Sequence, residues 1–520
     1  MPVNFPIDTL YRAASLHPGS IAVHCDETEY AYESLSEGGR SIGRAFARRG
    51  MVFGEHVAVY SPNHPNLILG LFAVWSVGAV WIPANTEYPP ASVVRYLAPL
   101  EPSWLLYHSD YGYSVREIVA ALPSIKSLIC IDRHDGEVSS FDDLMQETEN
   151  VHGEPASASS FPRCVDQVIA FFPTSGTTGE PKAIGWNAER INADTALFQR
   201  MYKGDVHIRL VFTPLAHGAF HLAINTLAVG GKVVLMRQFV PEKALELMAK
   251  QMVTNVLLPG SALTALLAHP QLNMWKYGNV RDITIAMDAP SVSTLRRAVE
   301  IFGPCVSVIY GQTETGLLTM LDAASVGRAI AENRADWLRS CGQPGPSVTV
   351  AVMDDEGRTL PPGEIGEIVA RTDRVSMPEG AWHHTNDLGW IDEEGFMYLA
   401  GRKDDVININ GYKVHPAEVE ACISDLSSVL DCAVAGISER RSGLILAAVV
   451  RPVDGAAFAE QDVIRYVRSE LGAVKVPRLI LATSEALPRT RNGRLDRRAV
   501  AIQYGPLFQQ MLLRARPDCS

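Results

Sequence analysis

Phe172-Pro-Thr-Ser-Gly-Thr-Thr-Gly-Glu-Pro-Lys182 is the densest chemical signal in the chain, and it follows an apolar run at 168–172 that reads as a strand. Five consecutive small or hydroxylated residues, Ser175 to Gly179, let backbone N–H groups approach an anion closely, and their hydroxyls add donors. Lys182 brings a positive charge three residues after Gly179. The Walker spacing GxxxxGK[ST] is absent, and Pro181 would spoil a helix start of that kind. The plainer reading is a Gly/Thr-rich turn between two strands.

Working outward from this loop, apolar periodicity alternates between strand and helix. Towards the N-terminus it gives a helix at 8–16, a short hairpin at 21–23 and 29–32, a helix at 32–49 and a strand at 56–60. Then follow helix 67–77, strand 79–82, helix 91–98, strand 103–107, helix 114–121 and strand 126–131. Such alternation predicts a mostly parallel sheet covered by helices. A Ser/Ala/Pro-rich stretch at 153–163 reads as a surface loop, and alternation resumes from 168 to about 309. Strands dominate from 348 to 398. Beyond Gly401 a helix at 416–426, strands at 431–436 and 444–451 and a helix at 460–471 form an α+β unit. The expected fold class is therefore α/β: a large N-terminal domain of helix-covered, parallel-rich sheets with a small β region, and a smaller α+β C-terminal domain.

Composition sets the outer limits. The 520 residues are 47% hydrophobic and 20% charged, which suits a globular chain of two or more domains and excludes disorder as the main state. Acidic residues outnumber basic ones 58 to 46, a net charge of −12, so bulk-charge binding of nucleic acid is not expected. The eight cysteines form no CxxC pair and read as reduced, mostly buried thiols. No basic region followed by an apolar one opens the chain, so no signal peptide is expected. The most apolar run, 67–82, is shorter than the ~20 residues of a spanning helix. A cytoplasmic protein with no membrane span is the expectation.

The quoted loop, as SGTTGEPK, resembles the phosphate loop of the acyl-adenylate-forming superfamily of acyl-CoA synthetases, nonribosomal peptide adenylation domains and luciferases. Other motifs of that family follow in order over nearly the whole chain. The resemblance implies that Thr174, Ser175, Gly176, Thr177, Thr178 and Gly179 hold nucleotide phosphate, with Lys182 assisting. Tyr310-Gly-Gln-Thr-Glu-Thr-Gly316 resembles the YGxTE element: Tyr310 and Gly311 would pack on adenine, Thr313 would touch the α-phosphate, and Glu314 would ligate Mg²⁺. Thr385-Asn-Asp-Leu-Gly389 resembles the TGD element, making Asp387 the ribose ligand, with Asn386 in place of the usual Gly. The segment 401–420 is similar to the hinge: Arg402 would reach ribose or phosphates, Asp404 would occupy the hinge, and Gly411 would let a pantetheine thiol pass. On its own terms, 416–420 is also simply a helix start with acidic residues in its first turns.

Two departures stand out. Where the family closes with P-x-T-x-x-G-K, this chain has Pro488-Arg-Thr-Arg-Asn-Gly-Arg494, so Arg494 takes the catalytic Lys position. A planar fork is not equivalent to a compact point charge at a tight site. Arg494 would then support reduced adenylation, reshape the pocket to grip a carboxylate, or mark a chain that has lost adenylation. The second departure is Ala286-Met-Asp-Ala-Pro290, where the family has Gly-Gly-Ala-Pro along adenine and the acid pocket. Here Asp288 would face adenine, a polar substrate or solvent, with Ala289 and Pro290 beside it.

The segment 212–221 resembles the first pocket-lining element and contributes His217, Gly218 and His221. His217 stands where amino-acid-activating members carry an Asp, which disfavours an α-amino acid. Two histidines four apart could also pair on a metal, but no third ligand is near in sequence. Leu257, Ile285, Met287, Ile309 and Leu317 complete the pocket implied by the resemblance, an apolar wall suited to an aryl or medium aliphatic acid.

The implied function is ATP-dependent activation of a small carboxylic acid as acyl-AMP, with Mg²⁺, then transfer to a thiol. Residues 1–402 would form the ATP- and acid-binding domain and 403–520 a mobile one. With no carrier-type domain in the 520 residues, the acceptor would be CoA or the phosphopantetheine of a separate acyl or peptidyl carrier protein. The alternatives are an acyl-adenylate former serving a non-thiol acceptor, or a binding homologue with weakened or lost adenylation.

Overall fold

The computed structural model describes residues 5–149, 166–175, 181–201, 206–372, 380–409, 412–439, 443–453, 455–489 and 495–514. The chain divides into two compact units, one of residues 1–257 with 273–281, the other of 258–272 with 282–520.

The first unit holds a six-stranded sheet in the order Ser127–Cys130, Trp104–Tyr107, His56–Tyr60, Val80–Ala84, Val168–Ser175, Pro181–Asn187. All neighbours are parallel except the last pair, a hairpin. The same unit pairs Ile208–Val211 with Lys232–Leu235 and Lys232–Leu235 with Ile21–Cys25 in parallel, edged by the antiparallel Thr28–Ala31. The strand–helix alternation expected from the sequence is therefore present. Helix Pro65–Ser76 starts with Pro at its first turn, where the missing N–H is an orphan in any case, and His64 Nδ1 accepts from Asn66 N at the cap. It is buried from Leu67 to Trp75, which explains an apolar run that is not amphipathic: the helix sits inside the core, packed on Tyr32–Arg48. Gly78, at φ +71°, turns the chain towards strand Val80–Ala84. Among the described residues, no helix is long and apolar enough to cross a membrane.

In the second unit, Asp282–Ala286 and Val306–Gln312 run parallel, and Val306–Gln312 pairs antiparallel with Gly316–Leu321. The small β region is a four-stranded antiparallel meander, Val348–Met353, Gly366–Thr372, His383–Ile391 and Met397–Arg402. Beyond it lie helix Pro416–Ser424, the long hairpin Val429–Glu439 with Gly443–Pro452, helix Glu460–Leu471 and a parallel edge strand Leu479–Ala482. A last helix, Arg497–Arg514, packs Val500, Tyr504 and Phe508 against Ala433, Ile437 and Ile445. The described cysteines, Cys25, Cys130, Cys305, Cys341, Cys422 and Cys432, are all free and buried. The stretch 153–163 lies outside the described residues.

Candidate active site

The phosphate-loop candidates fall partly outside the description: Gly176, Thr177, Thr178 and Gly179 are not among the described residues, and neither are Gly411 and Arg494. What the structure describes is the frame. Strands Val168–Ser175 and Pro181–Asn187 form an antiparallel hairpin with Thr174 opposite Lys182 and Ser175 opposite Pro181. The Lys182 side chain is exposed.

In the same unit His217 is held by uncharged partners. Asn85 Nδ2 donates to its Nε2 at 3.2 Å, and the carbonyl of Pro173 is its other hydrogen-bond partner. Burial pushes the imidazole down to about 4, so it is neutral at pH 7. Asn63, almost fully buried, fixes the segment that carries it: its amide donates to the carbonyls of Thr213 and Met236, and its Oδ1 accepts from Leu215 N. His221, four residues on, places Nε2 3.4 Å from Asp194 and its ring edge-on to Trp186. Gly218 is exposed, and Leu257 is half-buried in a small recess lined also by Leu210, Val211, Ala219 and Leu222. Among the described residues, no group of three or more His, Cys, Asp and Glu could hold a metal by itself.

The second unit brings three of the expected nucleotide residues together. Asp387 is buried in strand His383–Ile391, and antiparallel register sets it opposite Arg402. Arg402 Nε lies 2.9 Å from Asp387 Oδ1, while Oδ2 accepts from the Tyr310 hydroxyl at 2.7 Å and from Gln312 Nε2 at 3.0 Å. Gln312 also donates to the carbonyl of Thr385 at 2.8 Å, and its Oε1 stands 3.2 Å from His383 Nε2. Burial and the Asp387 charge raise the Tyr310 phenol well above its ordinary value, so it stays a donor. The Tyr310 ring packs with Leu318, Cys341, Ile368 and Met397. Sequence reading missed Gln312, whose only signal was its place inside the YGQTE string.

Gly311 is required here by space: a Cβ would sit 2.1 Å from the carbonyl oxygen of Gly316, so only glycine closes the hairpin that presents Thr313 and Glu314. Both side chains are half-buried in that turn. The Glu314 charge acts on His383, whose imidazole burial lowers, the carboxylate pulling the other way. A single carboxylate beside a polyphosphate site suits Mg²⁺, which keeps waters and takes one or two protein carboxylates plus substrate phosphates.

Of the remaining candidates, Ile285 is fully buried, Met287, Ile309 and Leu317 are half-buried, Ala289 is exposed and Pro290 half-buried. Asp404 is exposed in the single turn Lys403–Asp405; its neighbour Asp405 binds Arg497 at 2.8 Å, and Arg497 also grips Glu420. Asp288 does not face solvent: its carboxylate accepts from Gly260 N and from Ser261 N, and meets Arg489 at 3.2 Å.

The AMP-binding enzyme family matches residues 10–378, and its C-terminal domain matches 418–494. A feruloyl-CoA synthase of Amycolatopsis sp is 29% identical over 95% of this chain and 98% of its own length. An indoleacetate–CoA ligase of Aromatoleum aromaticum is 26% identical over 93% and 95%. Among solved structures, an amide bond synthetase from Marinactinospora thermotolerans superposes with a TM-score of 0.83 at 23% identity, covering 96% of this chain and all of that one. An anthranilate CoA ligase in complex with anthranoyl-AMP gives 0.84 at 21% identity, over 98% and 99%. These two carry the fold. With both family segments matched in order across it, the chain belongs to the AMP-binding enzyme family and is an AMP-forming ligase of the acid–thiol class.

Proposed function

We propose that this enzyme activates an aryl or medium aliphatic carboxylic acid as acyl-AMP and passes the acyl group to the thiol of CoA or of a carrier-bound phosphopantetheine. The observation that carries the reading is the convergence of Tyr310, Gln312 and Arg402 on the buried Asp387. A carboxylate held rigid by three donors keeps lone pairs for ribose hydroxyls, and Arg402 leaves a guanidinium beside the polyphosphate. Glu314 would hold Mg²⁺, which when bound neutralises phosphate charge. Thr313 would contact the α-phosphate, and Lys182 would add its charge to the phosphate loop. The substrate carboxylate then attacks the α-phosphorus, breaking its bond to pyrophosphate, and the thiol later displaces AMP.

The acid class rests on His217. An imidazole kept neutral by burial offers no countercharge to an α-amino group, so plain acids are favoured over amino acids. The relatives' names, a feruloyl-CoA synthase and an indoleacetate–CoA ligase, support an aryl acid. We place the boundary of the mobile domain at Asp404, with 403–520 turning between half-reactions.

ATP–pyrophosphate exchange over aryl, aliphatic and amino acids tests this, on the wild type and on Arg494→Lys. Strong wild-type exchange with an aryl or aliphatic acid is expected. Exchange only after Arg494→Lys would favour the reading in which adenylation was lost at this position, and none from either protein would sink the ligase reading. The pH profile checks His217: exchange should show no break from this group near its ordinary value of ~6.5, and should lose the neutral imidazole only towards pH 4.

A further inference from the structure

Arg489 is a two-ended bridge inside the second unit. One guanidinium nitrogen meets Asp431, on strand Val429–Glu439, at 2.7 Å. Another meets Asp288, just past strand Asp282–Ala286, at 3.2 Å. Asp288 is a prepared receptor: its oxygens accept from the backbone N–H groups of Gly260 and Ser261, at the start of helix Gly260–Leu267. Helix starts favour a carboxylate, and these donors orient it. Space keeps the corner tight, since a Cβ on Gly260 would lie 2.9 Å from Pro290 N. The Asp288 side chain is only 20% exposed and Arg489 only 26%, so the pair is poorly screened by solvent.

Arg489 opens the stretch that ends in Arg494. The described flanks of that stretch are tied to each other: Arg489 pairs with Leu495, and Asp496 N donates to the carbonyl of Pro488. Whatever holds Arg489 thereby also bears on Leu495 and Asp496, its partners on the far flank.

We propose that Asp288 is a positioning residue for the adenylation half-reaction, docking Arg489, and with it the paired flanks of the Arg494 segment, onto the Gly260–Asp288 corner. This rests on the ligase reading above. Asp431 travels with Arg489 on the proposed mobile domain, whereas Asp288 precedes residue 403. The Asp288–Arg489 contact therefore belongs to one domain arrangement and must open when the domain turns. The chain departs from the family glycine at 288 in order to dock an arginine in this way.

The test measures the two half-reactions separately in Asp288→Asn, Arg489→Gln, Arg489→Lys and the Asp288→Asn/Arg489→Gln double variant. Misplacing a reacting group by 1 Å costs about a hundredfold, so the ratio of pyrophosphate exchange to thioester formation from supplied acyl-AMP should fall about ten- to a hundredfold in Asp288→Asn. Arg489→Lys should fall between Arg489→Gln and wild type, and the double variant should be no worse than the worse single. Equal losses in both half-reactions, or none, would overturn the proposal. Limited trypsin digestion adds an independent readout: cleavage after Arg489 should be several-fold faster in Asp288→Asn. An unchanged cleavage rate would overturn the docking even if exchange fell. If the wild type exchanges with no acid but the cleavage difference is present, the ligase reading fails while the docking stands.

Discussion

Asn386 and Met287 occupy matching positions in two different parts of the second unit. Each stands where the family carries glycine, each has a left-handed backbone, at φ +56° and +72°, and each is followed by an aspartate facing an arginine: Asp387 with Arg402, Asp288 with Arg489. Asn tolerates this conformation because its short polar side chain bonds locally, whereas Met carries the full steric cost of an L-residue, about 1–2 kcal/mol. Yet the backbone at 287 has not relaxed. The left-handed residue aims the following carboxylate at its donors, and relaxing it would turn Asp288 away from Gly260, Ser261 and Arg489. At both sites a glycine has been replaced and its conformation kept.

The two carboxylates differ in how deeply they are committed, and truncation should expose that. Asp387→Ala leaves Arg402, the Tyr310 hydroxyl and a Gln312 N–H facing a buried gap. Stripping one partner from a buried charge pair costs about 3–5 kcal/mol, and pyrophosphate exchange should become undetectable or nearly so. Asp288→Ala removes the acceptor of two backbone N–H groups at a helix start and one of the two partners of Arg489, which keeps Asp431, a loss of about 1–2 kcal/mol. Hydrogen exchange of the Met397–Arg402 amides reads the first and that of the Gly260 and Ser261 amides the second. Comparable losses at the two sites would break the comparison.

Most of the frame was legible in sequence because it rests on local periodicity. The alternation through 56–131 is such a local signal and appears in the fold, whereas Tyr310, Asp387 and Arg402 stood out only through motifs resembling the family's, and the structure brings these three side chains together. The missed parts are carried by single polar residues whose partners are far along the chain. Asn63 binds Thr213 and Met236, Asn85 binds His217, and Asp288 finds Arg489 201 residues later. Such a residue leaves no pattern in its own neighbourhood. The helix Arg497–Arg514 has no counterpart among the elements expected from sequence, for a different reason. It opens with two arginines, which the helix dipole disfavours, and contains Pro506 in its interior. What overrides local propensity is burial of Val500, Tyr504 and Phe508 against the hairpin, together with the grip of Glu420 and Asp405 on Arg497.

The smallest expected effect is also the sharpest test of the backbone argument. Replacing Met287 directly by glycine mixes strain relief with lost side-chain packing, so its sign carries little information. Comparing Met287→Gly with Met287→Ala cancels most of the packing term, because both remove everything beyond Cβ. At an ordinary position alanine is the more stable of the two by about 0.4–1 kcal/mol, through the unfolded chain. At φ +72° the order should reverse, with glycine ahead by about 0.5–1 kcal/mol, as the left-handed penalty exceeds the entropy term. The same pair at 386 should show the same reversal, with Asn386→Gly close to wild type, since asparagine already sits comfortably there. Urea midpoints followed by a probe in the second unit read both pairs. If alanine is ahead of glycine at 287 but not at 386, then the backbone at 287 is free to relax. Met287 and Asp288 would then be ordinary loop residues, and the likeness between the two aspartate–arginine corners would end at their sequence.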